Sequence, residues 1–428
     1  MALRLHIEVN QQSGRNSTSP DYAEMNSAGS RNVITDGHID GNVIISMSDG
    51  ETASSSQEYL VEVIFEGHLS TAINLNISTQ LLRLAKNITL LRASDVRELS
   101  QQQPNSDPMS RTILHPFHFN IPRSANSPST SDNDSTPLPP SLSFKPMPVY
   151  SSNDNDLILR GQGRIEYCLK ARLFTQEECI CIAETETPVT FAPARECSPP
   201  ICTSDFPGEY TLEMSRRVRD LLHRRDLYYL SVHTEEPAPL YLDHSSGGMV
   251  STVVPLKWRY RCLNPSQRHA HPPGIYATVQ TSLRATTFVS VSPQDRLPLE
   301  KDANKLLDFK LVANTSGTGL TQERKLRVAS WESGSHDRAE EGRTWQATTP
   351  LILDFDIRDY LPPTFTHPYL SRRYSLSMFI SVEVDHSRQT SFRLRVPVHV
   401  SYDRGRQYPL CEDEAFRADS GFLPPYIK

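Results

Sequence analysis

The sequence predicts an all-β protein made of two tandem antiparallel β-sandwiches, with disordered loop insertions and a short interdomain helix. Apolar and polar residues alternate with a period of two in many segments, helix signals are few, and 32 of the 428 residues are proline. Strands with one apolar and one polar face belong to antiparallel sheets that are covered on one side. Many such strands joined by polar loops indicate sandwiches, and the length leaves room for two cores.

Residues 164–174 show the alternation most clearly. The apolar residues at every second position are Ile165, Tyr167, Leu169, Ala171 and Leu173. We expect this set to be buried, with Lys170 and Arg172 on the opposite face, because a register slip of one residue would bury the charges. Comparable alternation occurs in segments 3–9, 61–65, 117–121, 256–260, 275–291, 351–357, 374–384 and 392–402. Pro397 cannot donate to a ladder, so the last of these strands is expected at a sheet edge or a bulge.

Helices are predicted over residues 211–225 and 78–86. In the first segment, Met214, Val218 and Leu221 follow helical spacing, and Thr211 suits the N-cap. The rest of that helix surface carries a basic set, Arg216, Arg217, Arg219 and Arg224. A basic amphipathic helix can lie on anionic lipid, which makes these arginines candidate lipid contacts; the alternative is a solvated helix face packed on a sandwich.

Composition changes along the chain predict four parts. We expect an N-terminal sandwich over residues 1–185, a linker with the basic helix over 186–250, a C-terminal sandwich over 251–403 and a tail over 404–428. Residues 11–35 and 124–137 are rich in Ser, Asn, Asp and Pro. Such segments bury too little apolar area to offset the entropy of ordering, so both are predicted to be disordered insertions.

Charge and cysteine content narrow the class of protein. Lys and Arg number 44 against 50 Asp and Glu, which argues against a nucleic-acid partner because phosphate binding needs a basic excess. The N-terminal residues show no apolar core of a signal peptide, and no run is apolar enough for a membrane span. The seven cysteines are therefore expected to be free thiols in a reducing, cytoplasmic compartment.

Motifs for catalysis are missing from the sequence. It contains no G-x-x-x-x-G-K-[ST], H-E-x-x-H or G-x-S-x-G pattern. Four cysteines (Cys179, Cys181, Cys197 and Cys202) could in principle hold zinc, but they lack paired C-x2-C spacing, and a strand face and a loop also explain them. We expect no enzyme, no cofactor and no resident metal; a thiolate-zinc hydrolase is the enzymatic alternative.

Several short motifs in a fixed order resemble the arrestin superfamily, specifically the fungal α-arrestin-like trafficking adaptors. They lie at residues 36–45 (DGHIDGNVII), 63–71 (VIFEGHLST), 115–122 (HPFHFNIP), 138–142 (LPPSL), 165–171 (IEYCLKA) and 361–376, which begins LPPTF and ends YSL. The sequence departs from the family pattern in the insertion at 11–35, the long 186–250 segment and a short tail.

The resemblance implies a cytosolic, non-enzymatic adaptor that binds the cytosolic tails of plasma-membrane transporters or receptors. Such a protein would recruit a WW-domain ubiquitin ligase of the HECT type for endocytosis, and would associate peripherally with the plasma membrane or endosomes. The tail contains Leu423, Pro424, Pro425 and Tyr426, which match the [LP]-P-x-Y ligand of WW domains. Two alternatives stay open: LPPY as a structural tail anchor, and an arrestin-fold sorting or signalling scaffold that acts without a ligase.

Overall fold

The computed structural model describes residues 2–10, 33–34, 37–48, 59–77, 80–98, 110–122, 124, 136–143, 149–150, 157–176, 179–193, 200–219, 226–242, 248–263, 271–305, 308–333, 344–383 and 389–402. These residues form twenty-one strands, and a single 3-10 turn covers Thr203–Asp205. The all-β prediction is therefore confirmed.

The first sandwich contains ten strands. They are Ala2–Val9 (β1), Val33–Ile34 (β2), His38–Ser48 (β3), Tyr59–Ile77 (β4), Gln80–Glu98 (β5), Ser110–Asn120 (β6), Leu142–Ser143 (β7), Val149–Tyr150 (β8), Leu157–Thr175 (β9) and Cys181–Phe191 (β10). One sheet has the order β1-β3-β6, and the other has the order β2-β10-β9-β4-β5, with β7 and β8 also paired to β9. Apart from the parallel pair of β2 with β10, the pairs in both sheets are antiparallel.

The second sandwich contains eleven strands. They are Glu213–Arg219 (β11), Asp226–His233 (β12), Leu240–Leu242 (β13), Met249–Cys262 (β14), Ile275–Ser290 (β15), Leu311–Val328 (β16), Glu332–Ser333 (β17), Thr344–Asp356 (β18), Leu370–Glu383 (β19), Thr390–Val398 (β20) and Val400–Tyr402 (β21). One sheet has the strand order β11-β12-β14-β18-β17, and it faces a second sheet with the order β16-β15-β19-β20. Strands β13 and β21 pair in a separate two-stranded sheet. Pro397 lies on the edge strand β20, as predicted.

The predicted inward face of β9 is confirmed. Tyr167, Leu169 and Leu173 are each at most 2% exposed, while Lys170 and Arg172 are only partly buried. The residues of β4 that pair with this inward face of β9 belong to the same apolar core. A second apolar core lies between the two larger sheets of the second sandwich.

Both helix predictions are wrong. Residues 213–219 form strand β11, and residues 80–86 lie in strand β5. The spacing that suggested a helix also fits a strand, because Met214 and Val218 differ by an even number and so share one strand face. Within β11, Val218 is buried and Met214 partly buried, both on the core side of the sheet.

Several predicted domain boundaries do not coincide with the ends of the strands. β10 continues past residue 185 to Phe191, and β11, β12 and β13 belong to sheets of the second sandwich although they fall within the expected linker. Residues 33–34, inside the first predicted insertion, pair with β10. Residues 11–32 and 125–135 lie outside the described residues, and Ser124 and Pro137 form an isolated bridge.

Candidate functional site

The WW-ligand residues Leu423 to Tyr426 lie outside the described residues, which end with β21. The chain is held where that strand ends: Tyr402 is 4% exposed, its ring stacks on Tyr360 at 6.1 Å, and its hydroxyl donates to the Leu361 carbonyl at 3.2 Å. The last described residue is therefore anchored in the core of the second sandwich.

The candidate lipid-contacting arginines lie on an edge strand instead of a helix. Arg216, Arg217 and Arg219 are exposed on β11, and Arg224 lies outside the described residues. Arg217 and Arg219 both approach Asp226 of β12, at 3.5 and 2.9 Å. Arg216 has the opposite parity to these two, because successive side chains of a strand alternate. The strand therefore divides the predicted basic set between two faces.

The outward face of the five-stranded sheet continues the basic character of β11. Registered pairs place Arg217, Tyr229 and Arg261 in one row, and Ser215, Ser231 and Arg259 in the next. The Arg261 guanidinium lies 5.7 Å from the centre of the Tyr229 ring. We call the five residues Arg217, Arg219, Lys257, Arg259 and Arg261 the basic face.

Carboxylates partly offset the basic face. The Lys257 ammonium contacts Glu235 at 2.5 Å, and this hydrogen bond holds the pKa of the Glu235 carboxyl below its usual value. Asp226 lies between the two arginines of β11, and Glu213 occupies the same face. Glu332 of β17 lies in the same row as Arg259, because both residues pair with Gln346. Five cations against four carboxylates leave the face with an excess of one positive charge, which favours an anionic surface over a neutral one.

A tyrosine clasp holds the Leu-Pro-Pro-Ser segment of the first sandwich. The Tyr167 hydroxyl donates to the Pro139 carbonyl at 2.7 Å. The Ser141 N–H donates to the Phe191 carbonyl at 2.7 Å, and the Phe191 N–H donates back to the Ser141 hydroxyl at 2.9 Å. The segment is thereby fixed between β9 and the end of β10.

The second sandwich repeats this clasp. The Tyr374 hydroxyl donates to the Pro362 carbonyl at 2.5 Å. The Thr364 N–H donates to the Val400 carbonyl at 2.8 Å, and the Val400 N–H donates to the Thr364 hydroxyl at 3.0 Å. The same three bonds therefore recur at matching places in both sandwiches. The sequence reasoning found both Leu-Pro-Pro motifs but missed this repeat, which the paired pattern L-P-P-[ST] before Y-x-L could have disclosed.

The two sandwiches share a buried boundary. The Tyr360 hydroxyl donates to the Ser141 carbonyl at 3.0 Å, and burial raises the pKa of the Tyr360 hydroxyl well above its usual value. The Thr71 hydroxyl of β4 donates to the Ser290 carbonyl of β15 at 2.8 Å. The core of the first sandwich also includes residues of the second, namely Val289, Val312, Phe365 and Leu370. Polar and apolar contacts thus join the sandwiches.

An arginine clamp fixes the segment that connects the sandwiches. Arg373 and Glu209 are each 5% exposed, and Arg373 Nη2 lies 3.0 Å from Glu209 Oε2. The same nitrogen donates to the Pro298 carbonyl at 2.9 Å. The rings of Phe206 and Phe288 lie on the guanidinium, each with its centre 4.5 Å away. The ring faces attract the cation and supply contacts where further hydrogen bonds are lacking.

A second ion pair extends the arginine clamp. Arg395 of β20 makes a two-pronged contact with the Glu300 carboxylate, one branch of which is 2.9 Å long. Burial opposes ionisation of Glu300, but Arg395 outweighs it, so the pKa of the Glu300 carboxyl lies below its usual value. The Glu300 N–H donates to Glu209 Oε1 at 2.7 Å, which links the two pairs. Sequence reasoning missed these residues, and no local pattern marks them.

Comparison with known proteins does not assign the chain to a class. No family model matches it, and no curated protein matches it. In the described part of the chain, no helix is long and apolar enough to cross a membrane. Among those same residues, no group of three or more histidine, cysteine, aspartate or glutamate side chains is arranged to hold a metal ion.

Proposed function

We propose that the protein is a non-enzymatic trafficking adaptor of the arrestin-like kind, which binds membrane cargo and recruits a WW-domain ubiquitin ligase. The observation that carries the proposal is the tyrosine clasp. Each of the two Leu-Pro-Pro motifs that resemble the family is held by a tyrosine in the same way. The Tyr167 hydroxyl donates to the Pro139 carbonyl in the first sandwich, and the Tyr374 hydroxyl donates to the Pro362 carbonyl in the second. A chance resemblance gives no reason for the motifs to recur at matching hydrogen bonds.

The shared boundary supports the adaptor role on physical grounds. Contacts such as Thr71 to Ser290 and Tyr360 to Ser141 join the sandwiches through buried groups. A chain that carries two weak binding sites raises the local concentration of one partner at the other, and the joined sandwiches give the cargo site a stable scaffold. In the proposed function, one site takes the cytosolic tail of a transporter or receptor and the other takes the ligase.

The ligase contact is assigned to Leu423, Pro424, Pro425 and Tyr426. Pro424 presets the polyproline backbone that WW domains recognise, and Tyr426 supplies a large amphipathic ring. The basic face is assigned to peripheral contact with anionic lipid, because Arg217, Arg219 and Arg259 are exposed and the five cations of the face exceed its four carboxylates. Cytoplasmic location with peripheral attachment to the plasma membrane or endosomes belongs to the same proposal.

The deciding experiment titrates a peptide of residues 418–428 against a panel of WW domains. We expect binding that Tyr426→Ala abolishes, together with slower ubiquitination of bound cargo when the full chain carries this change. In the full chain, Tyr408→Ala is the matched control, since Tyr408 is also a tail tyrosine beside a proline. The melting temperature of the full chain should not change, because both residues follow the last described strand.

Two outcomes separate this proposal from its alternatives. Dissociation constants weaker than about 1 mM across the panel, or roughly −4 kcal/mol, would remove the ligase contact and favour a sorting or signalling scaffold. A lower melting temperature in the Tyr426→Ala chain, with WW binding unchanged, would instead identify the motif as a structural tail anchor.

A further inference from the structure

Strand β5 ends the larger sheet of the first sandwich with a long open edge. It spans 19 residues, and its described partner is β4 alone. The strand has no proline. Strands β4 and β5 form a hairpin whose tip lies between Ile77 and Gln80, and the one irregularity in their pairing, opposite Gly67 and His68, lies outside the half of β5 nearest this tip. Natural proteins usually shorten, kink or cover such edges because unpaired N–H and C=O groups accept further strands.

Apolar side chains are exposed along the tip half of β5. Leu82 and Leu84 pair with Leu75 and Ile73, which are 4% and 0% exposed, yet Leu82 and Leu84 themselves are 42% and 39% exposed. Leu81, on the opposite face, is 65% exposed. The apolar surface of the sheet therefore runs out to its open edge, where an adjoining strand would cover the two leucines.

The charge on residues 80–94 of this edge is of one sign, and the two carboxylates of β5, Asp95 and Glu98, lie at its far end. Residues 80–94 carry Arg83, Lys86 and Arg92 and no carboxylate, and none of the three forms an ion pair with a described residue. Lys86 lies 5.9 Å from the centre of the Tyr369 ring. A second copy paired within residues 80–94 would place basic or neutral residues opposite one another, which is unfavourable. A partner that brings carboxylates matches the edge.

We propose that the open edge of β5 receives, as an added strand, an extended segment of another protein that alternates apolar and acidic residues. Its apolar side chains cover Leu82 and Leu84, and its acidic side chains lie on the other face beside Arg83. A period of two satisfies both demands at once, and main-chain hydrogen bonds supply the rest of the affinity. This docking site does not depend on the ligase contact or on the adaptor function.

The first test uses the full chain and a labelled ten-residue peptide that alternates valine and glutamate. We expect saturable binding by fluorescence anisotropy that weakens as salt rises, since exposed charges are screened. Two further peptides carry N-methyl groups on one or the other alternate set of amides. An added strand turns one set toward β5, so one methylated peptide should lose binding and the other should retain it. Equal behaviour of both, or no binding at 1 mM peptide, would overturn the proposal.

The second test places the site on β5. Leu84→Asp and Arg83→Glu should each weaken the peptide by about tenfold or more, a change of roughly 1.4 kcal/mol. Leu114→Asp is the matched control, because Leu114 is also exposed on an edge strand, β6, and should change affinity less than about twofold. Equal losses in all three would place the site elsewhere.

Two further observations would identify a different occupant of the edge and so overturn the proposal. One is a dimer, detected by sedimentation, that Leu84→Asp separates, which would assign the edge to a second copy. The other is peptide binding that strengthens when the chain is shortened to end at residue 403, which would assign the edge to the protein's own tail. A monomer whose peptide affinity is unaffected by the shortening supports the partner segment.

Discussion

Removal of Glu209 from the arginine clamp should strongly destabilise the second sandwich. The Glu209→Ala change leaves Arg373 only 5% exposed, with the Pro298 carbonyl and two aromatic rings as remaining partners. A buried charge that loses its counter-ion typically costs about 3–5 kcal/mol. We expect a loss of that size in the free energy of unfolding.

All three tryptophans of the chain, Trp258, Trp331 and Trp345, lie in the second sandwich, so their fluorescence during urea denaturation reports its unfolding. The control is Lys257→Ala, which breaks the pair with Glu235 where the side chains are 46% and 60% exposed. Exposed pairs contribute about 0–1 kcal/mol, so this variant should change little.

A double variant checks the physical reason for the loss. Glu209→Leu with Arg373→Met replaces both charges by apolar groups and removes the desolvation penalty, so its stability should exceed that of Glu209→Ala. A loss of less than about 1 kcal/mol in Glu209→Ala, no greater than in the exposed control, would refute the reasoning. Water would then reach Arg373 in the folded chain.

Three further changes test packing and protonation. Leu169→Ala, at a side chain with no exposed surface, should cost about 2–5 kcal/mol through the cavity it leaves, and an effect below about 0.5 kcal/mol in urea denaturation would contradict the core placement. Gly161→Ala puts a methyl group 2.9 Å from Val312 Cβ and should cost about 1–3 kcal/mol, whereas Gly274→Ala, with no atom within 4 Å, should be near neutral in the same assay. Burial lowers the pKa of the His367 imidazole from 6.5 to about 4. Between these pH values the unfolded chain binds more protons than the folded chain, so the wild type gains stability as the pH rises from 4 to 6.5. The His367→Gln variant should lack up to about 3 kcal/mol of this gain. Identical stability-against-pH curves for the two chains would show that His367 does not titrate as inferred.

The sequence alone determined the fold class and the inward face of the strands in which apolar and polar residues alternate most clearly. Alternation is a local property, because successive side chains of a strand point to opposite faces, and it can therefore be read from neighbours in the chain. Leu169 and Lys170 were assigned to opposite faces on this basis, and the structure agrees. The Leu-Pro-Pro motifs were also visible, although their hydrogen-bond partners were not.

Local spacing failed where it fits two periods. Met214 and Val218 are four residues apart, which matches one face of a helix and also one face of a strand. Pairing with β12 decides for the strand, since the ladder satisfies backbone groups over seven residues of β11 and packs Val218 into the core. Tertiary context of this kind overrides a weak local preference.

Only the tertiary structure decided the arginine clamp and the open edge. Glu209 and Arg373 are 164 positions apart, and each reads in sequence as an ordinary surface charge. Their burial depends on how the connecting segment lies across β15 and β19, a long-range arrangement with no local signal. The exposure of Leu82 and Leu84 has the same origin: their residue type predicts burial, but the order of strands in the sheet puts β5 last, and nothing described covers its outer side.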